Sequence, residues 1–374
     1  MCTSIAMFQT NAVFGRNLDL EQHFSEAVVI TPQNYPFHFQ KTDSISSHFA
    51  MIGMASVVQD VPLYAEAMNE KGLYMAGLNF PHNACYAKAA SANKTALAPY
   101  ELIPWILSQC ENVAQAEEKL SRLSLLDLPF TVQGPTPCSL PVAPLHWQIA
   151  DSKKALVVEA LEDGLHLYED RIGVLTNNPP FPFHRMNLSQ YQHLSPAQSC
   201  NRFAKTELPS PFAQGMGAIG LPGDYSSASR YVKAAFLKLN SVCEQEEEQQ
   251  EMQFFHILDA VAMVKGSVIT EDKQLDLTLY SCCISAGTKT YYYRTYENST
   301  VHAIRMKQEN MEGNRLSVYP LQRKTVISFA KKDSHRDAEL ISFKDMNPRQ
   351  RTDRGFFSSM KHSDDHFGKY SSIR

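Results

Sequence analysis

The chain has 374 residues, of which 44% are hydrophobic and 20% charged, and its net charge is −4 at pH 7. This composition is ordinary for a soluble globular protein, and the slightly negative charge argues against nucleic-acid binding. Uncharged apolar runs such as "LIPWIL" are far too short to span a bilayer, and the N-terminus lacks the features of a secretory signal. We therefore expect a cytoplasmic location, with no membrane span and no nucleic-acid partner.

Eight scattered cysteines include no C-x-x-C pair, so neither a zinc site nor a thioredoxin-like motif is predicted. In a chain of this length they indicate reduced thiols. Adjacent Cys282 and Cys283 lie in an apolar run, where strand alternation predicts that they point to opposite faces. We predict no metal and no cofactor.

The first third of the chain is dominated by strand patterns. "CTSIAMF" and "AVFGRNLDL" alternate around a polar "QTN" turn, and "AVVITPQNYPF", "FAMIGMASVV" and "NEKGLYMAGLNFP" follow. From about residue 98 to 127 the period becomes helical, with Asn112 as the expected cap of a second amphipathic helix.

Strands return at "PLHWQIAD", "ALVVEAL", "LHLYED" and "IGVLTNN". A second helical block runs from "SSASRYVKAAFLKL" to "EMQFFHILDAVAMV", with the acidic residues 244–251 expected in a solvated loop or helix end. The final strands are "LDLTLYSCCIS", "TYYYRTYEN" and "TVHAIRM". This order of strands and helix pairs predicts an α+β layered fold.

The composition changes at residue 331. Residues 331–374 hold ten Lys or Arg against seven Asp or Glu, which leaves 25 against 32 in residues 1–330. We predict a main domain over 1–330 and a polar, mildly basic, flexible tail over 331–374. A role of the tail in targeting or secretion is a second hypothesis.

Cys2 follows the first methionine directly, and it is small enough that removal of Met1 is expected. Cys2 would then carry both a thiol of pKa about 8.5 and an α-amine of pKa about 7.7–8.0. Such an amine can accept the thiol proton and later protonate a leaving amine, so that no separate histidine is needed. The alternative from the residues alone is that Cys2 is a buried apolar residue.

Strand pairing supplies candidate partners for Cys2. If residues 10–11 form a two-residue turn, Asp19 lies opposite Cys2 and Arg16 lies opposite Ile5, and another loop length would shift this pairing by a residue or two. Asp19 could orient the α-amine, and the charge of Arg16 could favour the thiolate. The alternative is that Arg16 and Asp19 form a surface ion pair.

Several motifs, in order, resemble the choloylglycine hydrolase family. They are "MCTSI…FGRNLDLE", "NEKGLYMAGLNFP", "ELIPWILSQC", "PLHWQIAD", "GVLTNNPPF", "GLPGDYSSASRYV", "VAMVKGSV" and "TLYSCC", and they cover roughly residues 2–325. The resemblance implies an N-terminal nucleophile hydrolase with a four-layer αββα sandwich, which cleaves linear amides. The motif sequences are most similar to the bile salt hydrolase branch, since penicillin V acylases tend to carry tyrosine at the position of Asn79.

The resemblance implies roles for six residues of this chain. Cys2 corresponds to the nucleophile, and the side chain of Asn177 with the backbone N–H near Asn79 corresponds to the oxyanion hole. The remaining matched positions are Arg16, Asp19 and Arg230. Without the resemblance, Asn79 and Asn177 would be interpreted as turn residues and Arg230 as a solvated helix residue.

The implied reaction is hydrolysis of glycine- or taurine-conjugated bile salts. An apolar groove for the steroid is expected near Met7, Phe14, Phe80 and residues 125–142, and relatives suggest a homotetramer. The alternatives are a penicillin V acylase or another N-acyl amide hydrolase and, in a different class, an inactive bile-acid-binding protein. A papain-like protease is disfavoured, because no "CGSCW"-like stretch exists here.

Overall fold

The computed structural model describes residues 1–8, 11–134, 137–243 and 246–330. Met1–Val326 form one compact unit, and a second unit is assigned to Ile327–Arg374. Of the second unit, residues 327–330 are described; they are exposed and lie outside helices and strands. The predicted tail over 331–374 lies outside the described residues.

The strands are numbered here in chain order. They are β1 (Cys2–Phe8), β2 (Ala12–Leu20), β3 (Ala27–Thr31), β4 (Met51–Val58), β5 (Val61–Asn69), β6 (Tyr74–Asn79), β7 (Thr95–Leu97), β8 (Leu123–Leu125), β9 (Phe130–Val132), β10 (Cys138–Leu140), β11 (Leu145–Ala150), β12 (Ala155–Leu161), β13 (Gly164–Glu169), β14 (Val174–Leu175), β15 (Val268–Ile269), β16 (Leu275–Ser285), β17 (Thr290–Thr295), β18 (His302–Arg305) and β19 (Ser317–Pro320).

The α-helices are α1 (Leu102–Gln109), α2 (Val113–Ser121), α3 (Phe181–Leu188), α4 (Ser227–Asn240) and α5 (Glu247–Asp259). Asn112 caps α2 as predicted, because its side chain accepts the N–H of Gln115 at 3.1 Å. The acidic stretch supplies the first turn of α5, where Glu247 and Glu248 are favourably placed against the helix dipole.

Two antiparallel sheets form the centre of the protein. The first has the order β14-β1-β2-β16-β17-β18, with β15 also paired to β16, and the second has the order β13-β12-β11-β6-β5-β4-β3-β19. One core joins the two sheets and the helices α4 and α5, while another joins the second sheet with α1 and α2. The layers are therefore helix, sheet, sheet, helix, which confirms the predicted four-layer sandwich.

The hairpin of β1 and β2 has a different register from the predicted one. Phe8 pairs with Ala12, so three residues connect the strands, and Cys2 lies opposite Leu18 instead of Asp19. Arg16 lies opposite Ser4. Because directly opposed residues share a face of the sheet, the one-residue shift places Arg16 on the same face as Cys2.

β2 approaches β16 very closely beside Arg16. A Cβ atom at Gly15 would lie 2.0 Å from the carbonyl oxygen of Cys282. Only glycine, which has no Cβ, can occupy this position. The close approach of the two strands then allows Arg16 to pair with Cys282 on β16. Cys282 and Cys283 point to opposite faces by strand alternation, and all eight cysteines are free thiols.

Candidate active site

Cys2 begins β1 and is only 3% exposed. Its backbone nitrogen donates to Oδ1 of Asn177 at 2.8 Å, and its carbonyl accepts from Nη1 of Arg230 at 2.5 Å. Both partners come from distant parts of the sequence, so the position of Cys2 is fixed from two sides by tertiary contacts. These contacts bring together three of the residues singled out in the sequence.

Asn177 lies two residues beyond the end of β14 and links three of the candidate residues. Its Oδ1 accepts from Cys2 and from Nη2 of Arg230 at 2.7 Å, and its Nδ2 donates to the carbonyl of Asn79 at 2.6 Å. An amide nitrogen carries two hydrogens, so Nδ2 can donate a second bond. Asn79 itself ends β6, next to Asn177.

Arg230 lies early in α4, whose N-cap Ser226 accepts the N–H of Ser229. It is 1% exposed, so the interpretation as a solvated helix residue is wrong. Besides Cys2 and Asn177, it donates to the hydroxyl of Thr3 at 2.6 Å. Burial lowers the pKa of Arg230, and the carboxylates of Asp19 and Asp276 oppose this shift.

Arg16 is likewise buried, at 1% exposure. Its Nη1 donates to the carbonyl of Gly77 at 2.5 Å and lies 3.6 Å from Oε2 of Glu66. Burial by itself would lower the pKa of Arg16, but the neighbouring Cys2, Tyr280 and Glu66 groups raise it above its ordinary value. The alternative of a surface ion pair between Arg16 and Asp19 is therefore wrong.

Asp19 is fully buried and only partly satisfied by hydrogen bonds. Its Oδ1 accepts from the hydroxyl of Thr278 at 2.6 Å, and its Oδ2 has no hydrogen-bond partner. Burial raises the pKa of Asp19, and Arg230 limits the rise. A buried, unpartnered carboxylate oxygen at this place is suited to receive a further donor.

Residues that the sequence did not single out hold Asn177 in place. Its backbone N–H donates to the hydroxyl of Ser227 at 2.8 Å, and its carbonyl accepts from Nε2 of His184 at 2.9 Å. The preceding carbonyl, of Thr176, lies 2.9 Å from Nε2 of His146. A buried histidine has no sequence signal that distinguishes such a role from core packing, so these positions were missed.

An apolar cavity of about 240 Å³ has lining residues that contact Arg16 and Asn79. Two of its lining residues touch the site: the Ala65 carbonyl accepts from Arg16 at 3.4 Å, and Leu145 pairs with Asn79 in the sheet. The predicted segment 125–142 contributes lining residues, which are Leu128, Phe130, Leu140, Pro141 and Val142.

Three other residues expected at this groove do not line the apolar cavity. Met7, Phe14 and Phe80 are buried, at 3%, 0% and 0% exposure, and Phe80 stacks on His146 with 4.2 Å between the ring centroids. They serve the core, which is the usual place for large apolar side chains.

Nowhere in the described part of the chain do three or more His, Cys, Asp or Glu side chains form a group able to hold a metal. None of the helices within the described ranges has the length and apolar character that a membrane span requires.

The four-layer sandwich, with a cysteine at the start of β1 and the side-chain amide of Asn177 beside it, defines an N-terminal nucleophile hydrolase architecture. The family model of the linear amide C–N hydrolases, choloylglycine hydrolase family, matches residues 2–319. The chain belongs to this family, as its motifs predicted.

Known proteins agree with this assignment. A bile salt hydrolase/transferase from Lactiplantibacillus plantarum is 43% identical over 323 residues, which cover 86% of this chain and 97% of that protein. The crystal structure of a mutant conjugated bile acid hydrolase from Clostridium perfringens matches with a TM-score of 0.79 at 34% identity, over 88% of this chain and 100% of that one. Penicillin V acylase from Agrobacterium tumefaciens shares the fold, with a TM-score of 0.67 at 14% identity over 87% and 94% of the two chains.

Proposed function

We propose that this protein hydrolyses the amide bond of glycine- and taurine-conjugated bile salts. The observation that carries the proposal is the direct hydrogen bonding of Cys2 to Asn177 and Arg230, with Asn177 bonded in turn to Asn79. Membership of the choloylglycine hydrolase family and the names of the relatives support the substrate class.

In the proposed reaction, removal of Met1 leaves Cys2 with a free α-amine. The amine takes the thiol proton, and the thiolate attacks the amide carbonyl carbon to give a tetrahedral oxyanion. Nδ2 of Asn177 and the backbone N–H of Asn79 stabilise that oxyanion. The protonated α-amine then gives its proton to the departing glycine or taurine nitrogen as the C–N bond breaks.

The second half of the reaction releases the bile acid. Water, deprotonated by the same amine, attacks the thioester carbon, and the C–S bond breaks to return the thiolate. Asp19, whose Oδ2 has no partner, is proposed to orient the amine. Arg16 favours the thiolate by its charge, and Arg230 holds Asn177 and the carbonyl of Cys2.

The steroid is proposed to enter the apolar cavity. Aromatic and aliphatic side chains dominate its lining, which suits a rigid hydrocarbon ring system. Two of its lining residues, Ala65 and Leu145, contact Arg16 and Asn79, which supports a substrate pose with the steroid in the cavity and the amide at Cys2.

A homotetrameric assembly and a location in the bacterial cytoplasm remain proposals. They rest on the resemblance, the bacterial relatives and the sequence features described above. Light scattering coupled to gel filtration tests the first, because a tetramer has four times the mass of 42.1 kDa. Cell fractionation with and without residues 331–374 tests the second and, with it, the hypothesis of export through the tail.

The function is tested by amine release from glycocholate, taurocholate and penicillin V. We expect release from the bile salts that disappears in Cys2→Ala and persists in Cys110→Ala, which removes another buried thiol. Preference for penicillin V would overturn the substrate assignment while preserving the mechanism. Binding of bile acids without hydrolysis by folded protein lacking Met1 would favour the inactive binding protein.

A further inference from the structure

Glu66 is a buried carboxylate that contacts Arg16 across the space between the two sheets. Glu66 lies on β5 of the second sheet, Arg16 lies on β2 of the first, and 3.6 Å separate Oε2 from Nη1. Both side chains are at most 1% exposed. An ion pair shielded from water in this way interacts strongly and is rigidly held.

Three further groups of the first sheet donate to Glu66. The hydroxyl of Tyr291 lies 2.6 Å from Oε1, the hydroxyl of Tyr280 lies 2.9 Å from Oε2, and the thiol of Cys282 lies 3.5 Å from Oε1. Burial raises the pKa of Glu66, and Arg16 and these donors limit the rise. The three donors and the facing guanidinium all stabilise the anionic form of this carboxyl group.

Arg16 is a diagonal neighbour of Cys2 in the pairing of β1 and β2. Residues in this relation lie about 7–8 Å apart and share a face of the sheet, so a long side chain spans the gap. The guanidinium is also anchored by the carbonyls of Gly77 and Ala65. Loss of the negative charge on Glu66 would therefore leave the positive charge beside Cys2.

We propose that Glu66 is a positioning residue, which fixes the Arg16 guanidinium beside Cys2 and offsets part of its positive charge there. The proposal rests on the proposed function, because it takes Cys2 as the nucleophile. Its consequence is that the thiol of Cys2 experiences a smaller positive field than an unpaired Arg16 would exert.

The charged and titratable surroundings of both groups are defined. Cys2 faces Arg16 from β2 and Arg230 from α4, and Arg230 is in turn influenced by Asp19 and Asp276. The groups that face Glu66 are Arg16, Tyr280, Cys282, Tyr291 and, from β6, Tyr74. Since Glu66→Gln alters none of these side chains, a change at Cys2 reports the loss of one negative charge.

The experiment is the pH dependence of Cys2 alkylation by iodoacetamide in the full chain, followed by mass spectrometry of the Cys2 peptide. In Glu66→Gln we expect the midpoint of the Cys2 alkylation rate against pH to fall by about one pH unit. At a pH well below that midpoint, alkylation should be about tenfold faster than in the wild type. The control is Glu251→Gln, the same substitution at a buried glutamate facing Cys283, on the opposite face of β16. Because the pKa of Glu251 is raised to about 8, this variant tests the substitution itself without loss of a negative charge below that pH. Its midpoint should equal that of the wild type.

An unchanged or raised midpoint in folded Glu66→Gln would overturn the proposal, even if the variant is less stable. Should that variant not fold, Tyr291→Phe removes one donor and makes the anionic form of Glu66 less stable, so the midpoint should fall by less than expected for Glu66→Gln. An unchanged midpoint in Tyr291→Phe would likewise overturn it. Because alkylation requires no amide turnover, failure of the proposed hydrolase function is seen separately, as absence of bile-salt hydrolysis or as hydrolysis that survives in Cys2→Ala.

Discussion

Met1 and Asp19 exchange two backbone hydrogen bonds. The Met1 ammonium donates to the Asp19 carbonyl at 2.6 Å, and the Asp19 N–H donates to the Met1 carbonyl at 2.9 Å. The same ammonium lies 3.1 Å from the carboxylate of Asp276. While Met1 is present, the α-amine is therefore held one residue away from Cys2, and the nitrogen of Cys2 is an amide without basicity.

Retention of Met1 should abolish the general base. We expect chains that keep Met1 to hydrolyse glycocholate at least about 100-fold more slowly, which is the usual range for loss of acid–base catalysis. Protein made in cells with inhibited methionine aminopeptidase is assayed beside normal protein, and intact mass gives the fraction that retains Met1. Treatment with the aminopeptidase should restore the rate, whereas full activity of Met1-bearing chains would rule out the α-amine as base.

Asn177→Ala should slow the chemical step more than it weakens substrate binding. Removal of one oxyanion donor costs about 10²–10³ in kcat, and Arg230 and Cys2 also lose a hydrogen-bond acceptor. Steady-state kinetics with glycocholate measures the effect. The control is Asn298→Ala, a buried asparagine bonded to His302, which should lower thermal stability and preserve kcat. A loss in Asn177→Ala smaller than tenfold would contradict the proposed oxyanion role.

Val142→Asp tests whether the apolar cavity receives the steroid. A carboxylate in this lining must be desolvated against a hydrocarbon, so KM for conjugated bile salts should rise about tenfold or more while kcat changes little. The control is Val318→Asp, in a different cavity of about 630 Å³ beside Tyr35 and Phe37. If Val318→Asp raises KM and Val142→Asp does not, the steroid occupies that other cavity.

Glu251→Gln should change how stability depends on pH. Both carboxylate oxygens of Glu251 are buried without a hydrogen-bond partner, and desolvation together with Glu247 raises its pKa to about 8. Between the ordinary pKa of about 4.3 and pH 8, the folded state keeps a proton that the unfolded state has lost. Raising the pH therefore destabilises the wild type by roughly 1.4 kcal/mol per unit from this group.

Urea unfolding at pH 5, 6.5 and 8 measures this contribution. The free energy of unfolding should fall with pH more steeply in the wild type than in Glu251→Gln, so that the variant gains relative stability at pH 8. Parallel pH dependences in the two proteins would show that Glu251 is ionised in the folded state.

Much of the candidate site was predictable because its residues lie on strongly patterned strands or in family motifs. The bounds of β1 and β2 follow from alternation, and the resemblance located Asn79, Asn177 and Arg230. The register was wrong by one residue because turn length is set by the connecting loop, which the strand pattern does not encode. The side-chain contacts of Arg230 with Cys2 depend on packing of α4, which no local signal reveals.

Glu66 was missed together with the strand that carries it. β5 contains Pro62, and its Glu66 lies in the space between the two sheets. A proline and a charged residue do not match the apolar sequence pattern that predicts a buried strand. The carboxylate is tolerated there because Arg16, Tyr280 and Tyr291 arrive from other strands. Contacts between a carboxylate of one sheet and donors of the other depend on how the two sheets pack, which the sequence pattern of a single strand does not encode.

The separation in sequence between Cys2 and its partners has a consequence for biosynthesis. Asn177 and Arg230 lie 175 and 228 residues further along the chain. At about 5–20 residues per second, the ribosome needs roughly 10 to 45 s to reach Arg230 after Cys2 has been made. During that interval Met1 is accessible to aminopeptidases and the Cys2 thiol to oxidants, and the thiol becomes buried only after α4 has been synthesised.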